Sequence, residues 1–179
     1  MVFLWRDDVL DKTKTYLFYH APFLFTKIIG SVCVTEEIKK VIEDYLKNHE
    51  WLNLGTVDGE GRAVVHTMGY VSDGATVYFG TNKNTRKAQN IMNNPSVGYA
   101  VDEDDIEVMS ITGVQVQGKA SFVTDMDEMN KAGQMMAEKF PFVKDMPADP
   151  DFVMIKVEPL EAYYLDYTKG FGHRDQINY

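Results

Sequence analysis

Arg86 and Lys87 stand side by side in GTNKNTRKAQNIMNNP, residues 80 to 95. Two adjacent cations where a helix begins can hold an anion, because the free amides of a first helical turn point the same way. A phosphate monoester carries close to two negative charges, so a protein that holds one needs cations and aimed donors. The preceding ATVYF alternates like a strand, and Asn94-Pro95 closes the helix, since a residue before proline is steered out of helical conformation. With Thr85 at or near the cap, its hydroxyl and the next amides converge where Arg86 and Lys87 reach. Arg62, which opens a neighbouring strand after the turn DGEG, adds a third cation. The expected phosphate constellation is Arg62, Thr81, Thr85, Arg86 and Lys87.

Other chemistries find little support. The four histidines (His20, His49, His66, His173) show no metal-ligand spacing, and the single cysteine, Cys33, can form neither an internal disulfide nor a multi-thiolate site. No metal is expected, and no nucleophile triad or carboxylate pair stands out. His66 on the strand RAVVHT, with His173 and Arg174 in the tail GFGHRD, are the candidate catalytic groups. A formal net charge of -9 works against a polyanion-binding surface, so nucleic acid is excluded as a partner. A reducing cytoplasm suits the cysteine content.

Several elements must position these residues. TEEIKKVIEDYLKNH (35 to 49) spaces Ile38, Val41, Ile42, Tyr45 and Leu46 as one helix face behind a Thr35 cap. The period then becomes alternating: WLNLGTVD, RAVVHTMGYV and ATVYFGT read as three antiparallel strands joined by the turns DGEG and SDG. After the helix near 84 to 93 come the strand SVGYAVD and the long strand IEVMSITGVQVQGKASFVT, which can bend at Gly113 or Gly118. A second helix, DMDEMNKAGQMMAEKF, precedes a proline-rich loop and a last strand, DFVMIKVEPLEAYYLDY. The tail from Thr168 has no periodicity.

The fold class expected is mainly β with flanking helices, a six-stranded antiparallel split barrel; 179 residues suit one domain over 35 to 179. Residues 1 to 34 read as an aromatic-rich arm. Its stretch YLFYHAPFLFTKIIG is interrupted by His20, Pro22 and Lys27 and falls short of the roughly 20 apolar residues a membrane span requires, so no membrane partner is expected.

RAVVHT followed by VYFGTNKNTRKAQNIMNNPSVGY resembles the pyridoxamine 5'-phosphate oxidase-like, FMN-binding split-barrel family. Order, spacing and closing Asn-Pro agree over about residues 50 to 125. The resemblance implies FMN as cofactor, its phosphate held by Arg62, Arg86 and Lys87. It also implies the backbone of Ala63, Val64, Val65, His66 and Thr67 along the isoalloxazine ring, and Gly80 with Thr81 facing ring or ribityl. A homodimer with the flavin at its interface is the implied assembly, and a small-molecule substrate or electron donor the implied partner.

The departures from that family narrow the expectation. Gly113 occupies the position of a flavin-contacting Gln in the oxidases, and Gln115, on the same face, is the candidate substitute. Thr67 replaces a substrate-contacting lysine, and Gln176 and Asn178 replace a second His and a last Arg in the tail. The expected function is a flavin-dependent oxidoreductase or reductase of a small molecule, not an efficient pyridoxamine 5'-phosphate oxidase. The alternatives are a non-enzymatic FMN-binding electron carrier or redox or stress-linked protein, and a barrel that binds haem or the deazaflavin F420.

Overall fold

The computed structural model describes the backbone of residues 21 to 103 and 107 to 179, and side chains from Thr35 onward. By contacts the chain divides into two units, Met1–Val34 and Thr35–Tyr179; the arm expected over residues 1 to 34 falls mostly outside the described residues. The first described element is helix α1 (Ala21–Asn48). No helix among the described residues is long and apolar enough to cross a membrane.

In the second unit, strand β1 (Trp51–Val57) shows why the alternating pattern makes a sheet: Leu52, Leu54 and Thr56 are buried, while Asn53 and Gly55 turn to the other face. Each apolar side chain buried this way is worth about 1.5–3 kcal/mol. The chain then forms β2 (Ala63–Gly69), β3 (Val71–Asp73), β4 (Thr76–Asn82), helix α2 (Arg86–Asn93), β5 (Ser96–Asp102) and β6 (Thr112–Phe122). Helix α3 (Met126–Lys139), β7 (Phe152–Asp166) and β8 (Arg174–Asn178) complete it. All strands join one eight-stranded antiparallel sheet in the order β2-β1-β5-β6-β7-β4-β3, with β8 also on β7. The sheet curls into a half-barrel around the main core, where Ile42 and Leu46 of α1 meet Leu54, Phe79, Val114 and Ile155. A second cluster lies under α3, between Met136 and Phe140 and the β3–β4–β7 residues Val71, Tyr78 and Met154.

The fold class agrees with the sequence; the strand count and three details do not. RAVVHTMGYV reads as one strand but is two, β2 and β3, which sit at opposite ends of the strand order. The break is Tyr70, fully buried, whose hydroxyl donates to the Leu46 carbonyl at 2.8 Å while the Lys139 ammonium lies 4.4 Å from its ring centre. Burial and that hydrogen bond outweigh the alternation that would carry the strand straight on. The tail read as aperiodic supplies β8, because its pairing with Glu161–Leu165 of β7 needs backbone groups and only one buried apolar side chain, Ile177. Residues 108 to 110 form a 3-10 turn where a strand was expected, so β6 begins at Thr112.

At Gly118, one of the two glycines where a bend was expected, the β6–β7 register slips, with Leu160 of β7 as the extra residue. A Cβ there would lie 2.7 Å from the Glu158 carbonyl oxygen, so the close backbone approach admits only glycine.

Across the curl two strand edges face one another. Among the described residues β2 is laddered only to β1, and Phe79–Asn82 of β4 only to β7.

Candidate functional site

Helix α2 is held against β1 by its buried face: Ala88, Asn90 and Ile91 point inward, and the Asn90 side chain donates to the Thr56 hydroxyl at 3.0 Å. Its approach is fixed by the NKN turn. Asn82 donates to Asp149 at 2.8 Å, Asn84 to Asp151 at 2.8 Å, and the Lys83 ammonium lies 2.9 Å from Asp151. Lys83 thereby spends its charge on an acidic loop.

Arg86 and Lys87 do not. Among the described residues neither forms an ion pair or a side-chain hydrogen bond. Thr85 is the N-cap, as expected, but its hydroxyl donates to the Asn82 carbonyl at 2.8 Å and therefore accepts from Thr81 at 3.1 Å. The two threonines brace the turn instead of offering donors outward. Because no side chain caps the helix, the amides of Arg86, Lys87 and Ala88 have no acceptor among the described residues. Three aimed amides and two unspent cations make an anion cradle.

Arg62 departs from the expectation. Its side chain is 70% exposed, and it pairs with Asp58 at 2.8 Å and Glu60 at 2.5 Å inside its own turn. Asp58 also accepts from the backbone amides of Glu60 and Arg62, and these bonds hold its carboxyl below the usual carboxylate range. The turn that was expected to lend Arg62 to a phosphate instead satisfies it locally.

Strand β2 divides the remaining candidates between two faces. Val64 and His66 point toward the interior; Ala63, Val65 and Thr67 are exposed on the outer face. His66 lies opposite Leu54, and its Nε2 is buried without a hydrogen-bond partner among the described residues. Burial, then the charges of Lys87 and Arg86, hold its imidazole below the ordinary histidine range. On the outer face Thr67, Asn53, Ala100, Gln115 and Tyr163 form one row across β2, β1, β5, β6 and β7. Gln115 therefore stands on the Thr67 side, three strand steps or about 14 Å away.

Gly80 and Thr81 face oppositely. Thr81 braces Thr85 in the turn before α2, while Gly80 is covered by the Phe152 ring, so close that a Cβ at Gly80 would sit 2.5 Å from it. Gly80 can offer a ligand only its backbone. His173 and Arg174 lie on and beside β8, five strand steps from β2 along the sheet, or about 24 Å. There Arg174 stacks on Tyr163, with 4.9 Å between guanidinium carbon and ring centre, and His173 lies 3.3 Å from Asp175. Arg174 thus shares the outer face with Tyr163 and Gln115, while His66 points inward.

The half-barrel fold is the one the sequence resemblance implied, and the family model described as pyridoxamine 5'-phosphate oxidase matches residues 35–166. The chain belongs to the pyridoxamine 5'-phosphate oxidase-like split-barrel family. General stress protein 26 of Bacillus subtilis is 32% identical over 124 residues, covering 69% of this chain and 85% of that protein. The solved General Stress Protein 26 of Bacillus anthracis superposes with a TM-score of 0.60 at 22% identity, covering 79% of this chain and 98% of its own. The haem storage protein HutZ of Vibrio cholerae superposes with a TM-score of 0.58 at 22% identity, over 67% and 88%. One scaffold therefore serves relatives of different kinds, and the site of each must be read from its own residues.

For an FMN in this family member, the residues at the start of α2 fit its phosphate: two cations unpaired among the described residues and three free amides. The sequence missed the orphaned Nε2 of His66, since no local pattern distinguishes a partnered strand histidine from a bare one. It also missed a polar cavity of about 790 Å³ beside Thr67, lined by His49, Glu50, Trp51, Asn53, Asp102 and Glu103 among others. The acidic run from Asp102 was its one visible signal.

Proposed function

We propose that this protein binds FMN along the open edge of β2, with its phosphate at the start of α2, and acts as a flavin-dependent oxidoreductase or reductase of a small molecule. The observation that carries the reading is the pair Arg86 and Lys87, unspent beside uncapped amides in a chain that has 27 acidic side chains available to neutralise them. When bound, FMN supplies a ring that accepts and returns hydride or electrons, so the chain itself needs no triad or metal. Arg86 and Lys87 grip the phosphate; the free edge of β2 offers backbone donors and acceptors along the flavin. Thr67 and Asn53, joined by a 2.7 Å hydrogen bond, border the space where a substrate would enter.

That space argues against a phosphorylated substrate. The cavity at Thr67 presents Glu50, Asp102 and Glu103, and among the described residues no lysine or arginine lines it. A dianion entering there meets repulsion and no forked guanidinium to hold it. The reading is thus of a neutral or cationic small molecule, and pyridoxamine 5'-phosphate should be turned over no faster than by free flavin.

A second copy of the chain is the proposed partner. The outer face offers a floor of small residues, Gly55, Ala63 and Gly98, around a cavity of about 420 Å³, with Leu160, 58% exposed, in its lining and Val65, 67% exposed, across the ladder from Gly55. Apolar surface of this kind is what an interface between copies covers. Sedimentation at micromolar concentration should give a dimer, and a monomer that still holds flavin would refute the assembly.

The absorption spectrum of the purified protein tests the cofactor: flavin bands support the reading, and a Soret band replaces FMN with haem. Stopped-flow mixing with NADH or NADPH then separates an enzyme, whose flavin is rapidly reduced, from a carrier that waits for a protein donor.

A further inference from the structure

On the outer face of the sheet the strand registers set residues in rows. One row runs Asp102 on β5, Gly113 on β6, Leu165 on β7 and Arg174 on β8. The next runs Ala100, Gln115, Tyr163 and Gln176, and a third runs Gly98, Gln117, Glu161 and Asn178. All face away from the core, because their chain neighbours Val101, Val114, Ala162 and Ile177 are buried in it and successive side chains alternate. The two charges that end the first row lack a counter-ion. Arg174 is exposed and stacked on Tyr163, and among the described residues its side chain forms no ion pair or hydrogen bond. Asp102, exposed on the lining of the acidic cavity, forms none either, whereas Glu103 is taken by His49 at 2.9 Å and Glu161 accepts from Gln176. Three strand steps, about 14 Å, keep Asp102 and Arg174 apart within one chain.

We propose that a second copy of the chain docks on this face about a two-fold axis running along the strands between β6 and β7, so that Arg174 of each copy pairs with Asp102 of the other. The inference rests on the second-copy reading above and adds to it the contact that fixes the register. A two-fold axis in that place sets each row against itself in reverse order, and the reversed order is complementary at each step. Arg174 meets the partner's Asp102, and Leu165 meets the partner's Gly113, where no side chain stands in its way. In the next rows Tyr163 meets the partner's Gln115, Glu161 meets the partner's Gln117, and Asn178 lies over the partner's Gly98, part of the small-residue floor. Neighbouring registers lose this match. Moving the axis onto β6 sets Asp102 against Leu165, and moving it onto β7 sets Arg174 against Gly113, so a charge loses water without gaining a partner.

Sedimentation equilibrium of the full chain, with FMN added, measures the dimer dissociation constant. Arg174→Glu sets two carboxylates against each other at both symmetric contacts and should weaken the dimer about a hundredfold, tenfold for each pair. Asp102→Arg tests the same contact from β5 and should weaken it as much. Arg174→Glu combined with Asp102→Arg restores opposite charges in exchanged places and should return the constant to within about fivefold of wild type. The exchange keeps the test independent of folding, because a chain that merely misfolds is not restored by a second reversal of charge. A wild-type dimer that Arg174→Glu leaves unchanged, or an exchange that restores nothing, overturns the pairing alone. A wild-type monomer at micromolar concentration overturns the second-copy reading, and this inference with it.

Discussion

Arg62, in the turn before β2, and the Arg86–Lys87 pair at the start of α2 look alike in sequence: each is a cation beside a tight turn, in reach of one ligand. Their environments differ. Asp58 and Glu60 surround Arg62 within its own turn, whereas the acids near α2, Asp149 and Asp151, are engaged by Asn82, Lys83 and Asn84. The acidic loop thus shields the turn but leaves the helix start positive. A cation is available to a ligand when nearby acids have been given other work, and that depends on which residues share a turn.

The strongest test of this contrast replaces Arg86 and Lys87 together with alanine. Two charge-assisted contacts at about 1.5–3 kcal/mol each should weaken FMN about a hundredfold or more. Arg62→Ala, an exposed and locally satisfied side chain, should cost less than about fivefold. Fluorescence titration reads both, and an Arg62 effect as large as the double replacement would erase the distinction.

Asn90→Ala comes next. It strips the Thr56 hydroxyl of its buried partner and should lower stability by about 1–3 kcal/mol in urea unfolding with an unchanged slope. FMN should also bind less tightly, although Asn90 never touches it, because the cradle's aim depends on how α2 sits on β1. Full-strength binding by a destabilised variant would show that the cradle orients itself.

Glu60→Gln is subtler. Removing one of two acids from Arg62 should loosen it toward the split and raise FMN affinity by a few-fold at most, the scale of an exposed ion pair. Lower affinity would mean that the salt bridge itself helps to build the site.

The smallest effect concerns the flavin-free protein. His66 has a folded-state pKa below its unfolded value, so its contribution to stability is present above the ordinary histidine range and is lost as pH falls through the folded value. The wild-type midpoint of thermal unfolding should fall faster on mild acidification than that of His66→Gln, and equal slopes would count against a depressed histidine.

Much of this was legible beforehand because it is local. The period change after Asn48, the turn at DGEG and the Asn94-Pro95 stop each act within a few residues, and the helix that carries Arg86 and Lys87 follows from them. What stayed hidden depends on distant partners. Tyr70 breaks its strand because Leu46 and Lys139 wait for it, far away in the chain. β8 exists because β7 has an open ladder, which no pattern in RDQIN reports. Gly80 reads as an open approach for a ligand until Phe152 is found lying over it. The orphaned Nε2 of His66 belongs to the same class, a property of what is missing around a residue.

Tyr70 has a mechanical consequence. It alone separates the last residue of β2 from the first of β3, and β3 ends its pairing at Tyr78, so the two free strand edges start from a shared covalent corner. Two trans-linked steps of the backbone span at most about 7 Å, which caps the separation at that end whatever the ligand. Farther along, toward Ala63 and Asn82, no ladder among the described residues ties the rims together. The opening is therefore a wedge with a fixed vertex, and its width changes by pivoting and not by parting. A ligand that widens it must swing α2, carrying Arg86 and Lys87 outward on the long arm of the lever, while the vertex at Tyr70 barely moves.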